Sequence, residues 1–209
     1  MPRTLFDDRL RRQAVAHLRK SDPQIASVIA AVGRCTFEPL AEGTHFDALV
    51  QAIVYQQLSG KAAATIHARF KALYGSRNPR PDEVAETPDS DLRSVGLSRQ
   101  KLGYIKDLAD RVDTGALPLD HLDDMDDDEV VAALVAVKGI GRWSAQMFLM
   151  FRLGRVDVFP ELDLGVQKAL QQLHGLDELP KPRAAAELGE RWRPYRSIAA
   201  WYLWRSNNL

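Results

Sequence analysis

With 209 residues, of which 45% are hydrophobic and 27% charged, the chain is long enough to bury one sizeable core or two small ones, which excludes a wholly disordered protein. Its single cysteine, Cys35, excludes an intrachain disulfide and a cluster held by several thiolates. No run of about 18 apolar residues is present to span a membrane and no basic start precedes an apolar run, so we expect a cytoplasmic protein.

The formal charge is zero, because 28 basic residues balance 28 acidic ones. These charges are unevenly distributed, since residues 107–129 hold ten acidic residues and one basic residue, Arg111. The rest of the chain has 27 basic against 18 acidic residues, a net charge of +9. A basic face is therefore compatible with overall neutrality, and we interpret the aspartate run as a solvated loop with helix starts.

Apolar residues recur at helical intervals throughout the chain, and no alternating run is long enough to demand a strand. The first half predicts helices over 5–18, 23–33, 45–55 and 60–73, the later three begun by Ser21-Asp22-Pro23, Thr44 with Asp47, and Ser59. A proline-rich stretch at 79–81 predicts a surface loop, Thr87-Pro88 starts a short helix, and Ser98 caps a helix that Gly115 closes. We expect about ten short helices in all.

Residues 126–151 predict two helices joined by a tight turn. Asp126 and Glu129 have the spacing of a capping box, Gly139 ends the first helix, and apolar periodicity resumes from Arg142 to Phe151. Small residues at the turn let backbone amides approach an anion, which suits a phosphate-binding site. The alternative is an ordinary helix corner plugged by Ile140, and Gly-Ile-Gly alone favours that alternative. Further helices follow Asp163 and Pro182.

Two stretches carry a family resemblance, Gly-Ile-Gly-Arg-Trp-Ser-Ala at 139–145 and Asp-Val-Phe-Pro-Glu-Leu-Asp-Leu at 157–164. They resemble the helix-hairpin-helix, glycine- and proline-rich loop and aspartate of a superfamily of DNA base-excision glycosylases, within it the 3-methyladenine DNA glycosylase II branch. The likeness covers about residues 40–205. It implies an all-α fold of two helical lobes with a base-binding cleft between them, forming a single glycosylase unit over 1–209. One lobe would take about 44–138, and the other about 1–43 plus 139–209.

By this resemblance Asp163 is the catalytic residue, although its local sequence alone favours a plain helix N-cap. Breaking an N-glycosidic bond develops positive charge on the sugar, which a nearby carboxylate stabilises. Many relatives carry a second aspartate where this chain has Leu162, so Glu161 is either an auxiliary carboxylate or part of the helix start. Bifunctional relatives place a nucleophilic lysine where Trp143 stands, which predicts a monofunctional enzyme without lyase activity.

The resemblance also implies a base pocket formed by Trp143, Trp204, Met147 and Gln56. Trp143 would stack on an electron-poor base, whereas core packing is the competing explanation of this tryptophan. Met147 replaces a tyrosine of the relatives, which leaves the substrate range open. Predicted DNA contacts lie in the hairpin and in the turn before Ser98, where Leu97 would be the wedge that fills the gap left by a flipped base. The full set is Lys138, Gly139, Ile140, Gly141, Arg142, Leu97 and Ser98.

The carbonyls of Val135, Val137 and Ile140 are expected to hold a structural sodium or potassium ion, and no divalent metal or organic cofactor is implied. The function implied is removal of alkylated bases, chiefly 3-methyladenine and also 7-methylguanine and other alkylpurines, from double-stranded DNA to leave an abasic site. The expected protein is a monomer with no membrane partner, associated with the nucleoid if prokaryotic. The alternative is a non-catalytic helix-hairpin-helix protein that binds DNA or senses lesions.

Overall fold

The computed structural model describes residues 7–40 and 42–209, and every regular element in these ranges is a helix. The all-α prediction is therefore confirmed. Residues 5 and 6 of the first predicted helix lie outside the described residues. The α-helices are α1 (Asp8–Ser21), α2 (Pro23–Val32), α3 (His45–Tyr55), α4 (Gly60–Ala72), α5 (Pro81–Glu86), α6 (Asp89–Ser94), α7 (Arg99–Asp113), α8 (Asp127–Val135), α9 (Arg142–Phe151), α10 (Leu164–His174), α11 (Pro182–Gly189) and α12 (Arg196–Ser206). Short 3-10 helices occupy Leu119–His121 and Glu190–Trp192.

The described residues divide into two compact units, one of residues 7–40 with 149–209 and one of residues 42–148. This division differs from the lobes expected from the sequence, because residues 139–148 group with the central segment. The boundary falls inside α9. In the part of the chain that the structure describes, none of the helices combines the length and hydropathy that a bilayer crossing demands.

In the unit of residues 42–148, α3 and α7 supply the core. Helix α7 packs against α3, α5 and α6, and α3 also packs against α4. Thr44 starts α3 with a full capping box, because its hydroxyl accepts from the Asp47 amide while the Asp47 carboxylate accepts from the Thr44 amide. The apolar faces of these helices are buried, at Phe46, Leu49, Val50, Ile53 and Val54 of α3 and at Leu102, Ile105, Leu108 and Ala109 of α7.

In the other unit, α12 is the central helix and packs against α1, α2 and α10. It is buried almost all round rather than along one stripe, since every residue from Ser197 to Leu203 is buried. The predicted start of α2 is confirmed, because the Asp22 carboxylate accepts from the Gln24 amide and Pro23 occupies the first turn. The same carboxylate accepts from the Trp192 indole at 3.1 Å, which gives this buried charge a second partner.

The number and limits of the helices differ from the sequence prediction, most clearly at residues 79–94 and before Gly139. Pro81, expected in a loop, begins the six-residue helix α5, a position where the missing proline amide has no helical partner to lose. Thr87 is the C-cap of α5 and Pro88 is the N-cap of α6, so the segment 79–94 holds two short helices instead of one. Helix α8 ends at Val135, four residues before Gly139, because a turn intervenes.

Candidate active site and nucleic-acid interface

The two helices predicted around Gly139 and Gly141 are present as α8 and α9. Asp126 starts α8 with the predicted capping box, since its carboxylate accepts from the Glu129 amide at 2.8 Å and Glu129 accepts from the Asp126 amide at 2.9 Å. The connecting hairpin is tight, because the Ile140 amide donates to the Val137 carbonyl at 3.1 Å. Gly139 has φ +82°, a conformation that side chains with a Cβ rarely adopt.

Neighbouring helices hold this hairpin in place. The Gln56 side-chain amide, just after α3, donates to the Gly139 carbonyl at 2.9 Å. The Tyr104 ring of α7 lies so close to Gly139 that a Cβ there would collide with it. From the next turn of α7, the Asp107 carboxylate accepts from the Lys138 amide at 2.9 Å. The hairpin backbone is thus fixed at Lys138 and Gly139 from two sides.

Asp107 also faces two cations, Arg111 at 2.9 Å and the Lys138 ammonium at 3.5 Å. Burial raises the pKa of Asp107, but the bond from the Lys138 amide and the nearby Arg111 outweigh it, so the pKa lies below its usual value. The spacing of four residues between Asp107 and Arg111 places the two side chains on one face of α7. The contact with Lys138, 31 positions away, required the fold.

Beside the hairpin, an open cavity of about 360 Å³ lies between the turn after α3 and the turn before α7. Lys101 lines this cavity, and its ammonium donates to the carbonyls of Val54 and Gln56 at 2.7 and 2.6 Å. The two turns differ in what they expose, because Leu58 is 40% exposed whereas Leu97 is 1% exposed. The buried Leu97 side chain does not fit the expected role of a wedge. Ser98 instead has the capping role predicted for it, accepting from the Lys101 amide.

The exposed turn before α4 is also conformationally unusual. Gln57 has φ +55°, in the left-handed region that non-glycine residues seldom occupy. Leu58 follows Gln57 and precedes Ser59, whose hydroxyl caps α4 by accepting from the Ala62 amide. Sequence reasoning assigned Gln56 to the base pocket and passed over Leu58, whose exposure is the signal that the structure adds.

Trp143 and Met147 lie on α9 immediately after the hairpin. They are four residues apart, so they share one helix face. Trp143 is 43% exposed, which is unlike a core tryptophan, and Met147 is half-buried. Between these two positions the helix also presents buried side chains, Ala145 and Gln146. Core packing therefore does not account for Trp143.

Asp163 and Trp204 lie together in the unit of residues 7–40 and 149–209. Asp163 is the N-cap of α10, and its Oδ1 atom accepts from the Val166 amide and from the Trp204 indole, each at 2.8 Å. The Trp204 ring is stacked on Phe151, with centroids 5.8 Å apart and planes 24° from parallel. Gly165 completes the arrangement, since an added Cβ would lie 3.0 Å from Asp163 Oδ1 and 3.1 Å from Trp204 Cδ1.

The loop that leads to Asp163 is fixed by the start of α12. Arg196 donates to the Asp157 carboxylate at 2.9 Å and to the Asp157 carbonyl at 2.7 Å. The buried Ser197 hydroxyl donates to the Arg155 carbonyl and accepts from the Val158 amide. These contacts hold residues 155–158 against α12, the helix that also carries Trp204. They fix the loop that leads to Asp163 and so help to give Asp163 a defined position.

A family model described as HhH-GPD superfamily base excision DNA repair protein matches residues 50–194. The chain belongs to this superfamily. DNA-3-methyladenine glycosylase 1 of Schizosaccharomyces pombe is 31% identical over 94% of this chain and 88% of that protein. The YfjP protein of Bacillus subtilis is 34% identical over 77% of this chain. The match covers only 58% of the length of YfjP. The solved structure of S. pombe 3-methyladenine DNA glycosylase (Mag1) with abasic DNA matches with a TM-score of 0.82 at 31% identity, covering 94% of this chain and 97% of that one.

Membership of the HhH-GPD superfamily confirms the resemblance predicted from residues 139–145 and 157–164. The structure brings some of the predicted site residues together within each unit. Gln56 meets the hairpin at Gly139 in one unit, and Asp163 meets Trp204 in the other. Sequence reasoning missed several residues that support these groups or lie beside them. They are Leu58, Tyr104, Asp107, Phe151 and Gly165. Each is a common residue type, so no local signal singled it out.

Proposed function

We propose that this HhH-GPD protein is a monofunctional DNA glycosylase of base excision repair. It hydrolyses the N-glycosidic bond of alkylated bases, chiefly 3-methyladenine and also 7-methylguanine and other alkylpurines, and leaves an abasic site. The observation that carries the proposal is the Asp163 carboxylate, fixed at the start of α10 by the Val166 amide and the Trp204 indole. The S. pombe relatives named or described as 3-methyladenine DNA glycosylases support the alkylated substrate class.

In the proposed reaction, Asp163 stabilises the sugar as its bond to the base breaks. Alkylation at a ring nitrogen gives the purine a positive charge, so it leaves as a neutral base and the positive charge passes to the sugar. The Asp163 carboxylate stabilises that charge and orients or deprotonates the water that attacks the anomeric carbon. Two hydrogen bonds to one oxygen fix the carboxylate before substrate arrives, which removes the need for reorganisation during the reaction.

For contacts with the flipped base we propose Trp143, Met147 and Gln56 on one unit and Trp204 on the other. The exposed Trp143 ring offers a face to a cationic base, where stacking and cation–π attraction both favour binding. Trp204 has one face against Phe151 and its indole N–H on Asp163, so it would link base recognition to the position of the carboxylate. Glu161 remains a proposed auxiliary carboxylate; its carbonyl accepts from Gln167 at 2.8 Å.

The hairpin is the proposed phosphate-binding element. We propose that the amides of Gly139, Gly141 and Arg142 contact phosphates of the lesion strand. The amides of Lys138 and Ile140 are bonded inside the protein and hold the hairpin in shape. Ile140 is buried and anchors the hairpin rather than touching DNA through its side chain. The exposed Lys138 ammonium adds positive charge beside the hairpin.

The wedge is better assigned to the turn at residues 56–59 than to Leu97. An inserted side chain must be exposed and apolar, and Leu58 meets both conditions beside the cavity that the hairpin borders. Ser98 would remain a neighbour of the DNA through its position in the same cavity.

A monovalent cation at the carbonyls of Val135, Val137 and Ile140 fits their chemistry. Val135 is the last residue of α8, where the helix dipole favours positive charge, and backbone oxygens are ligands that hard cations accept. The Val137 carbonyl already accepts from the Ile140 amide, so it would share its second lone pair with the ion. The ion would hold the hairpin carbonyls and take no part in the chemistry. Among the described residues, no group of three histidine, cysteine or acidic side chains is placed to hold a metal.

Trp143 in place of a lysine supports hydrolysis without strand cleavage, and the Lys138 ammonium is directed to Asp107. The proposed partner is double-stranded DNA with alkylated bases, supported by the abasic DNA in the Mag1 structure. We further propose that the protein acts as a single unit and as a monomer, in the cytoplasm or on the nucleoid.

The direct test incubates the full chain with methylated duplex DNA. We expect free 3-methyladenine to be released while the strand stays intact until heat or alkali cuts the abasic site. Unmethylated duplex and duplex carrying an oxidised base serve as controls, from which no base should be released. If the protein binds the methylated duplex yet releases no base, the glycosylase proposal is wrong and the non-catalytic alternative takes its place.

A further inference from the structure

An arginine-lined groove of about 750 Å³ lies in the unit of residues 7–40 and 149–209, and none of the proposed site residues lines it. Its walls are α1 and the segment after α2. Four of its lining residues are arginines, Arg11, Arg12, Arg19 and Arg34. The proposed glycosylase function assigns no role to any of them.

At one end of the groove the arginines already bind carboxylates. Asp8 forms ion pairs with Arg11 at 2.9 Å and with Arg34 at 3.0 Å, and Glu38 pairs with Arg11 at 2.9 Å. These contacts show that the groove is suited to carboxylate groups held by guanidinium forks.

The other arginines lack such partners. Among the residues that the structure describes, neither the Arg12 nor the Arg19 guanidinium has a hydrogen bond or an ion pair, and both side chains are exposed. They are seven positions apart on α1, so they share a face and are separated by roughly 10 Å along the helix axis. Val15 and Ala16 lie between them and give this part of the groove an apolar wall. Two unpaired cations flanking an apolar strip are complementary to a segment with acidic and aliphatic side chains.

The groove and the candidate active site lie on opposite faces of α12. Tyr202 points to the groove side, where its hydroxyl donates to the Gly33 carbonyl at 3.0 Å, whereas Trp204 donates to Asp163. Two helical positions correspond to a rotation of about 200°. DNA bound at Asp163 would therefore leave the groove accessible.

We propose that this groove binds an acidic segment of a partner protein, with carboxylates on Arg12 and Arg19 and aliphatic side chains against Val15 and Ala16. A peptide fits better than a nucleic acid, because its aliphatic side chains can cover the apolar wall of Val15 and Ala16 between the two cations, which a phosphodiester chain cannot do. The proposal goes beyond the glycosylase function and does not depend on it.

The test is fluorescence anisotropy of the full chain with a labelled, terminally blocked peptide of glutamates and leucines, at low salt and at about 0.15 M salt. The matched probe has glutamine in place of every glutamate. We expect Arg12→Gln with Arg19→Gln to weaken binding of the glutamate peptide about tenfold. Arg183→Gln, at an exposed arginine of the same unit, should leave it unchanged.

Three outcomes would overturn the proposal. The first is equal binding of the wild type and the double variant, or equal loss with Arg183→Gln, because the attraction would then be general. The second is displacement of the peptide by undamaged duplex DNA in the wild type but not in the double variant, which would make the groove a nucleic-acid site. The third is a loss of base release in the double variant when circular dichroism shows it folded, since the groove would then serve excision. Failure of the glycosylase proposal alone would leave peptide binding intact.

Discussion

The two bonds on Asp163 Oδ1 reconcile two interpretations of that residue. As an N-cap it satisfies the Val166 amide, and as the proposed catalytic carboxylate it is oriented by the same bond and by the Trp204 indole. Capping and catalysis are therefore compatible in one side chain. The cap was predictable from the local sequence, whereas the bond to Trp204, 41 positions away, depends on how α10 and α12 pack.

A single methyl group added at Gly165 should disturb the pair formed by Asp163 and Trp204. We expect Gly165→Ala to slow base release, because the new Cβ would crowd Asp163 Oδ1 and Trp204 Cδ1 and shift both from their present positions. The measurement is the single-turnover excision rate together with the midpoint of denaturant unfolding.

The matched control is Gly103→Ala on α7, where a Cβ meets nothing within 4 Å. There the substitution should leave excision unchanged and stabilise the protein by about 0.5–1 kcal/mol, as expected of alanine in a helix interior. If both variants excise at the wild-type rate, Gly165 does not position the pair.

Among elements, the hairpin between α8 and α9 depends on α7. Asp107→Ala would leave the Lys138 amide without its carboxylate partner, and we expect this to loosen the hairpin and weaken binding to abasic-site DNA about tenfold. Since removing a negative charge by itself favours DNA binding, Asp110→Ala on the exposed side of α7 is the control. An affinity that rises equally in both variants would show that Asp107 acts through its charge alone.

The pKa shift of Asp107 fixes the pH range of this anchor. Burial raises its pKa, but the Lys138 amide and Arg111 lower it further, so the folded value is below the unfolded one. Such a carboxylate stabilises the fold above the unfolded pKa and loses that effect as pH falls through the folded value. The anchor is therefore complete at neutral pH and weakens only under strongly acidic conditions.

Helix starts were the most predictable feature at this scale, because capping side chains act locally. Thr44, Ser59, Ser98 and Asp126 all cap the helices predicted for them. Helix α5 was missed because prolines at 79 and 81 indicate a loop as readily as a first helical turn. The burial of Leu97 was not predictable for a different reason, since exposure depends on what packs over a side chain and not on its neighbours in sequence.

For the whole molecule, two histidines predict a loss of stability in mild acid. Burial lowers the pKa of His67, aided by Lys71, and burial with Arg191 lowers that of His174. The unfolded chain therefore binds more protons than the folded one as pH falls below about 6.5, which favours unfolding. Urea midpoints should decrease between about pH 7 and pH 5.5, and less so in His67→Gln and His174→Gln. A wild-type midpoint that stays constant would contradict this account.

The all-α class and the superfamily were predictable from periodicity and from two short stretches, because both depend on residues close in sequence. The grouping of helices into units was not, since residues 7–40 join 149–209 through contacts between distant segments. The arginine groove was likewise absent from the prediction. The arrangement of the α1 arginines around a groove with Arg34 required α1 and α2 to pack.

The most direct test of the central claim is the single-turnover release of 3-methyladenine from methylated duplex DNA by the wild type and by Asp163→Asn. Asparagine keeps an oxygen for the Val166 amide and the Trp204 indole but removes the negative charge that would face the sugar. We expect the rate to fall at least about a hundredfold while affinity for abasic-site DNA and the unfolding midpoint stay close to those of the wild type. Release by Asp163→Asn at the wild-type rate would contradict the assignment of Asp163 as the catalytic carboxylate.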